Sequence, residues 1–130
     1  MEIDCSVYDE MIAHSQAELP NEACGYLASK DGKVVQLYKL TNLDQSPEHY
    51  QMDPKEQFDC IRQIREAGLE VAAVYHSHPE TPARPSEEDI ALAYDPKISY
   101  VIVSLAEEKP YAKSFKITKG EVTPEEFNLS

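Results

Sequence analysis

No two cysteines of this chain are spaced as a CxxC pair. Cys5, Cys24 and Cys60 are odd in number and far apart, which indicates neither a disulfide framework nor a thiolate zinc site. Three reduced thiols are expected, and Cys24 is notable because it lies two residues from Glu22. Basic residues are scarce as well: 12 lysines and arginines face 24 acidic residues, a net charge of −12. Such a surface repels phosphate backbones and anionic lipid, so neither nucleic acid nor a membrane is an expected partner. Long apolar runs are missing: segments 70–76 (EVAAVYH) and 98–105 (ISYVIVSL) fall far short of the roughly 20 residues of a membrane-spanning helix. The start, MEIDCSVYDE, has neither the basic residues nor the apolar stretch of a signal peptide, so a soluble, cytoplasmic protein is expected. There are no repeats, low-complexity stretches or linkers, and 130 residues with 42% hydrophobic content suit one globular domain over 1–130.

What is present reads as alternating helices and strands. Val7, Tyr8, Met11, Ile12 and Ser15 recur at helical spacing and predict an amphipathic helix over 6–18, capped by Ser6 and ended by Pro20 and Asn21. EACGYLASK (22–30) and DGKVVQLYKL (31–40) read as two strands joined by a tight turn at Asp31-Gly32, the first of them a core strand. Residues 41–53 are polar and suit a surface connection or a short edge strand around Tyr50 to Met52. Pro54 opens a second helix, in which Phe58, Ile61, Ile64 and Arg65 recur at three and four before Gly68 stops it. LEVAAVYH (69–76) is a strand, SHPETPARP (77–85) a proline-stiffened loop, and SEEDIALAY (86–94) the start of another helix. ISYVIVSL and AKSFKIT (112–118) are further strands, and a short tail follows Gly120. The expected order is αββαβαββ.

Chemistry concentrates where strand 69–76 ends. His76 and His78 stand at i and i+2 and project from the same face, so both imidazoles can point at one metal while Ser77 faces away. Asp89 follows in the first turn of the next helix, and the stiff loop can bring that turn back to the strand end. Two imidazoles and a carboxylate leave one position of a zinc tetrahedron open, the arrangement of catalytic rather than structural zinc. Iron uses similar ligands, so the donor types alone leave other metals open. Such a site needs a proton carrier. Glu22, at the start of a buried strand where an unpaired carboxylate is costly, is the candidate. Each of these residues has an ordinary alternative. HxH pairs arise by chance on exposed strand ends, Ser86 to Asp89 fits a helix capping box, and Glu22 suits an exposed strand position. His14 and His49 read as surface residues.

Together the residues form a larger pattern. His76-Ser77-His78-Pro79, running on through Pro85 to Ser86 and Asp89, resembles the JAMM (MPN-plus) metallopeptidase motif, and Glu22 in its E-A-C-G-Y-L context is similar to that family's catalytic glutamate. Asn42, Ser46-Pro47, Tyr50, Met52 and Asp53-Pro54 are similar to short prokaryotic members, so the resemblance covers nearly the whole chain with no ligand missing. It implies an α/β fold: a single MPN-like domain whose curved mixed β-sheet is flanked by helices, in a cytidine-deaminase-like layering. It implies zinc held by His76, His78 and Asp89 with water as fourth ligand, Glu22 as general base and then acid, and Ser86 as hydrogen-bond donor to the oxyanion. The implied reaction is hydrolysis of the amide or isopeptide bond after the C-terminal Gly-Gly of a ubiquitin-like sulfur-carrier protein, and a homodimer is compatible with it. A Gly-Gly tail suits a narrow groove beside a sheet edge, because glycine lets the backbone lie extended there. Two other readings stay open. One is a hydrolase of small peptides or amides; the other is a non-catalytic interaction module with a structural metal, closed by a fourth ligand such as Cys24.

Overall fold

Short apolar and β-branched runs form the central strands and amphipathic segments form the helices of the computed structural model, which describes residues 1–130. The elements are β1 (Glu2–Ile3), α1 (Cys5–Ala17), β2 (Cys24–Lys30), β3 (Lys33–Leu40), α2 (Pro54–Glu66), β4 (Glu70–His78), α3 (Glu87–Ala91), β5 (Ser99–Ser104), β6 (Tyr111–Thr118), β7 (Glu121–Glu125) and β8 (Asn128–Leu129). All eight strands join one curled mixed sheet in the order β7-β6-β5-β4-β2-β3-β1-β8. β4 runs parallel to β5, and β1 parallel to both β3 and β8; the remaining pairs are antiparallel. Asp31 and Gly32 both take the left-handed conformation, with φ of 51° and 84°, as a two-residue hairpin between β2 and β3 requires. Opposite Leu27 to Ser29 of β2 each partner strand carries one extra residue, Val35 in β3 and Ala72 in β4, and such bulges bend a strand and help to curl a sheet.

Successive residues of β4 point to opposite faces, and each face has its own helix. Ala73 and Tyr75 pack with Ile3, Val7, Met11, Leu27 and Val34 beneath α1. Val74 packs on the other side with Cys24, Tyr26, Cys60 and Ile64 beneath α2. His76 and His78 continue the Val74 series, so they emerge on the α2 face at the C-terminal end of a central strand.

Several local expectations need correction. Asp4, not Ser6, caps α1: its carboxylate accepts the Ser6 N–H at 2.9 Å, and the Ser6 hydroxyl also donates to it. His14 is not a surface residue but 6% exposed, because it lies on the same inward stripe as Val7 and Met11, with Nδ1 2.7 Å from the Tyr75 hydroxyl. Phe58 points outward at 68% exposure, since the buried stripe of α2 runs through Cys60 and Ile64. Residues 41–53 form a connection without a strand. The short tail expected after Gly120 forms two further strands: β7 pairs along β6, and β8 pairs with β1. Pro124 of β7 is tolerated because that strand is the sheet edge.

Candidate metal centre

The end of β4 and the start of α3 meet through three side chains. The Nε2 atoms of His76 and His78 lie 3.2 Å apart. Asp89, eleven residues beyond His78, places Oδ1 3.1 Å from His76 Nε2 and Oδ2 3.1 Å from His78 Nε2. Two bonds hold the intervening loop. His78 Nδ1–H donates to the Pro82 carbonyl at 2.9 Å, and the Ser104 hydroxyl of β5 donates to the Thr81 carbonyl at 2.7 Å. Ser86 then caps α3, its Oγ accepting the Asp89 N–H at 3.0 Å while its own N–H donates to Asp89 Oδ2 at 2.9 Å. The capping box and the approach of Asp89 to the histidines are therefore one feature, because the box orients the carboxylate toward them.

The donor set fits a cation. A carbonyl can only accept, so His78 Nδ1 carries the proton and the neutral ring presents a bare lone pair at Nε2. That lone pair faces carboxylate oxygens and a second imidazole nitrogen, a group in which acceptors would repel one another without a positive charge between them. Metal-to-ligand bonds of about 2.0–2.1 Å in tetrahedral geometry put donor atoms about 3.3 Å apart, close to the three separations here. Burial alone would raise the Asp89 pKa, but when protons rather than a cation sit among these donors, hydrogen bonds from both imidazoles and from Ser86 outweigh it and hold the carboxyl well below the usual range. Burial lowers the His78 pKa, yet the bonds that the protonated ring makes to Asp89 and the Pro82 carbonyl leave it raised overall.

Glu22 lies just ahead of β2, 5% exposed, and shares a cleft of about 290 Å³ with Glu48, His78, Glu80, Ser86 and Asp89. Burial pushes its pKa up to about 8, more than the attraction of His78 pulls it down. The structure thus brings Glu22, His76, His78, Ser86 and Asp89 to one place. Cys24 does not join the donor group: its Sγ is turned to the Leu40 carbonyl at 3.8 Å, and burial pushes the thiol up to about 12. His49 stays on the surface, with Nδ1 2.8 Å from Glu88 Oε2. Sequence reasoning about chemistry missed Tyr50, whose ring stacks on His76 at 4.7 Å and 23°. An aromatic residue in an otherwise polar connection was the available signal.

The chain is similar to known proteins over nearly its whole length. Residues 5–118 match the family described as prokaryotic homologs of the JAB domain. A CysO-cysteine peptidase of Mycobacterium tuberculosis is 35% identical over 130 residues, covering 98% of this chain and 89% of that protein. A desampylase of Haloferax volcanii is 32% identical over 103 residues, 74% of each chain. Among solved structures, a protein from Desulfitobacterium hafniense aligns with a TM-score of 0.90 at 49% identity, covering 100% of this chain and 93% of the other. A structure described as a JAMM metalloprotease-like zinc site in the proteasome and signalosome aligns with a TM-score of 0.64 at 21% identity over 100% and 97% of the two chains, a likeness of fold. The chain belongs to the family of prokaryotic JAB-domain proteins.

Proposed function

We propose that residues 1–130 act as a single-domain, JAMM-type zinc metallopeptidase. Its reaction is hydrolysis of the amide or isopeptide bond after the C-terminal Gly-Gly of a ubiquitin-like sulfur-carrier protein. The observation that carries the reading is the meeting of two buried imidazoles with a half-buried carboxylate, at separations of 3.1 to 3.2 Å, opening on the cleft that holds Glu22. Nitrogen and oxygen donors at this spacing favour zinc, with His76, His78 and Asp89 as ligands. The names of the two relatives, a CysO-cysteine peptidase and a desampylase, support a protein-conjugate substrate. The reading includes a cytoplasmic location; no helix is long and apolar enough to cross a membrane.

When bound, zinc supplies positive charge that polarises the scissile carbonyl and acidifies water. Glu22 takes the proton of the attacking water and hands it to the leaving amine, and its raised affinity for protons suits the second half of that task. The Ser86 Oγ is occupied as an acceptor by the Asp89 N–H, which leaves its own O–H free to donate to the oxyanion. Tyr50 covers one face of His76 and keeps solvent from that side of the ring.

Metal analysis tests the ligand set. The purified protein should hold zinc stoichiometrically, and Asp89→Ala or His78→Ala should lose it on dialysis, because two remaining ligands bind too weakly. Stoichiometric zinc in either variant contradicts the assignment.

A further inference from the structure

A buried side-chain amide has two N–H donors and an oxygen with two lone pairs to satisfy. Asn42, two residues beyond β3 and 9% exposed, satisfies all four. Its Nδ2 donates to the Glu22 carbonyl at 3.0 Å and to the His49 carbonyl at 3.0 Å. Its Oδ1 accepts the Asp44 N–H at 3.0 Å and the Gln51 N–H at 3.2 Å. The connection from 43 to 51 is thus wound around one amide.

Glu22 is tied to that connection on both sides of its backbone. It precedes the first residue of β2, so the sheet ladder does not hold it. Instead its N–H donates to the Ser46 carbonyl at 2.8 Å, and its C=O accepts from Asn42. The same segment carries Tyr50 onto His76 and His49 onto Glu88. A carboxylate at the end of a flexible stem is placed accurately only if the backbone beneath it is fixed.

We infer that Asn42 is a positioning residue for Glu22, fixing its backbone relative to His76 and Asp89 through the 43–51 connection. The inference rests on the proposed role of Glu22 as proton carrier. A misplacement of 1 Å at a reacting group can cost on the order of 100-fold in rate. Asn42→Asp retains the acceptor for Asp44 and Gln51 but has no donor for the two carbonyls. Asn42→Ala removes the amide without burying a charge, and serves if the Asp variant fails to fold.

The test is a double-mutant cycle on the zinc-loaded enzyme, with a carrier protein ending in Gly-Gly-Cys as substrate. In the wild-type background either Asn42 variant should lower kcat by roughly 10-fold to 100-fold with KM nearly unchanged, and in the Glu22→Gln background it should lower kcat no further. In the metal-free protein, the Glu22 amide should exchange with solvent at least about tenfold faster in the variant, while the Leu27 amide in the core of β2 keeps its protection. Equal losses in both backgrounds, or an unchanged Glu22 exchange rate, overturn the inference while leaving the proposed function standing. Wild-type turnover by Glu22→Gln alone removes the proposed proton carrier, and the inference falls with it.

Discussion

Burial just ahead of β2 raises the Glu22 pKa from 4.5 to about 8 against the pull of His78, so the folded chain holds this proton more tightly than the unfolded chain does. The sign of the stability effect follows. Below 4.5 the acid is protonated in both states and the stabilisation is complete; as pH rises through about 8 it is lost, because only the unfolded chain ionises freely. Metal-free wild type and Glu22→Gln should therefore unfold at similar urea concentrations near about pH 5, with the variant more stable by on the order of a few kcal/mol near about pH 9. A gap that does not change with pH contradicts burial as the cause. In the zinc-loaded enzyme the same variant should retain metal and lose on the order of 10²-fold to 10⁴-fold in kcat, the usual worth of a positioned acid or base. Near wild-type turnover contradicts the assigned role. Glu22 was legible because a carboxylate in an apolar strand context asks for a reason. His14 was not, since nothing local shows that Tyr75, 61 residues away, waits to bond it.

At the scale of elements, α3 is only five residues long, and its first turn is set by Ser86 and Asp89 together. Ser86→Ala should lose about 1 kcal/mol of stability from the cap and add about 2.7 to 4 kcal/mol to the barrier from the missing oxyanion donor. Melting curves and kcat separate the two, and a fall in melting temperature with unchanged kcat leaves Ser86 a cap alone. β2 makes a different demand. A Cβ on Gly25 would collide with the Tyr38 carbonyl and lie 2.6 Å from the Tyr75 hydroxyl, the group that meets His14. Gly25→Ala should destabilise the fold by about 1 to 3 kcal/mol, as overpacking does, and a variant as stable as wild type in urea contradicts that packing. The hairpin, the main helices and the HxH strand were legible because their signals are local. β1, β8 and β7 were not: two-residue strands have no periodicity to read, and a strand containing Pro124 looks like a loop until its edge position is known.

Across the whole molecule, four segments distant in sequence converge on one cleft: the approach to β2, the 41–53 connection, the end of β4 and the start of α3. The sheet order makes this possible by placing β4 between β2 and β5, so that the backbone of Ser77 bonds Ala23 on one side and Leu105 bonds His78 on the other. The motif spacing foretold which side chains would meet. It did not foretell the cover formed by Tyr50 and Asn42, which depends on how a polar connection folds back over the α2 face. The account stands most directly on one measurement: mass spectrometry of a carrier protein ending in Gly-Gly-Cys after incubation with the zinc-loaded enzyme. Free cysteine and a carrier ending in Gly-Gly are the predicted products, and valine in place of the second glycine should block the reaction, because a groove narrow enough to select glycine has no room for a β-branched side chain. Equal cutting of the valine carrier, or free dipeptides cut as well as the carrier, would contradict it.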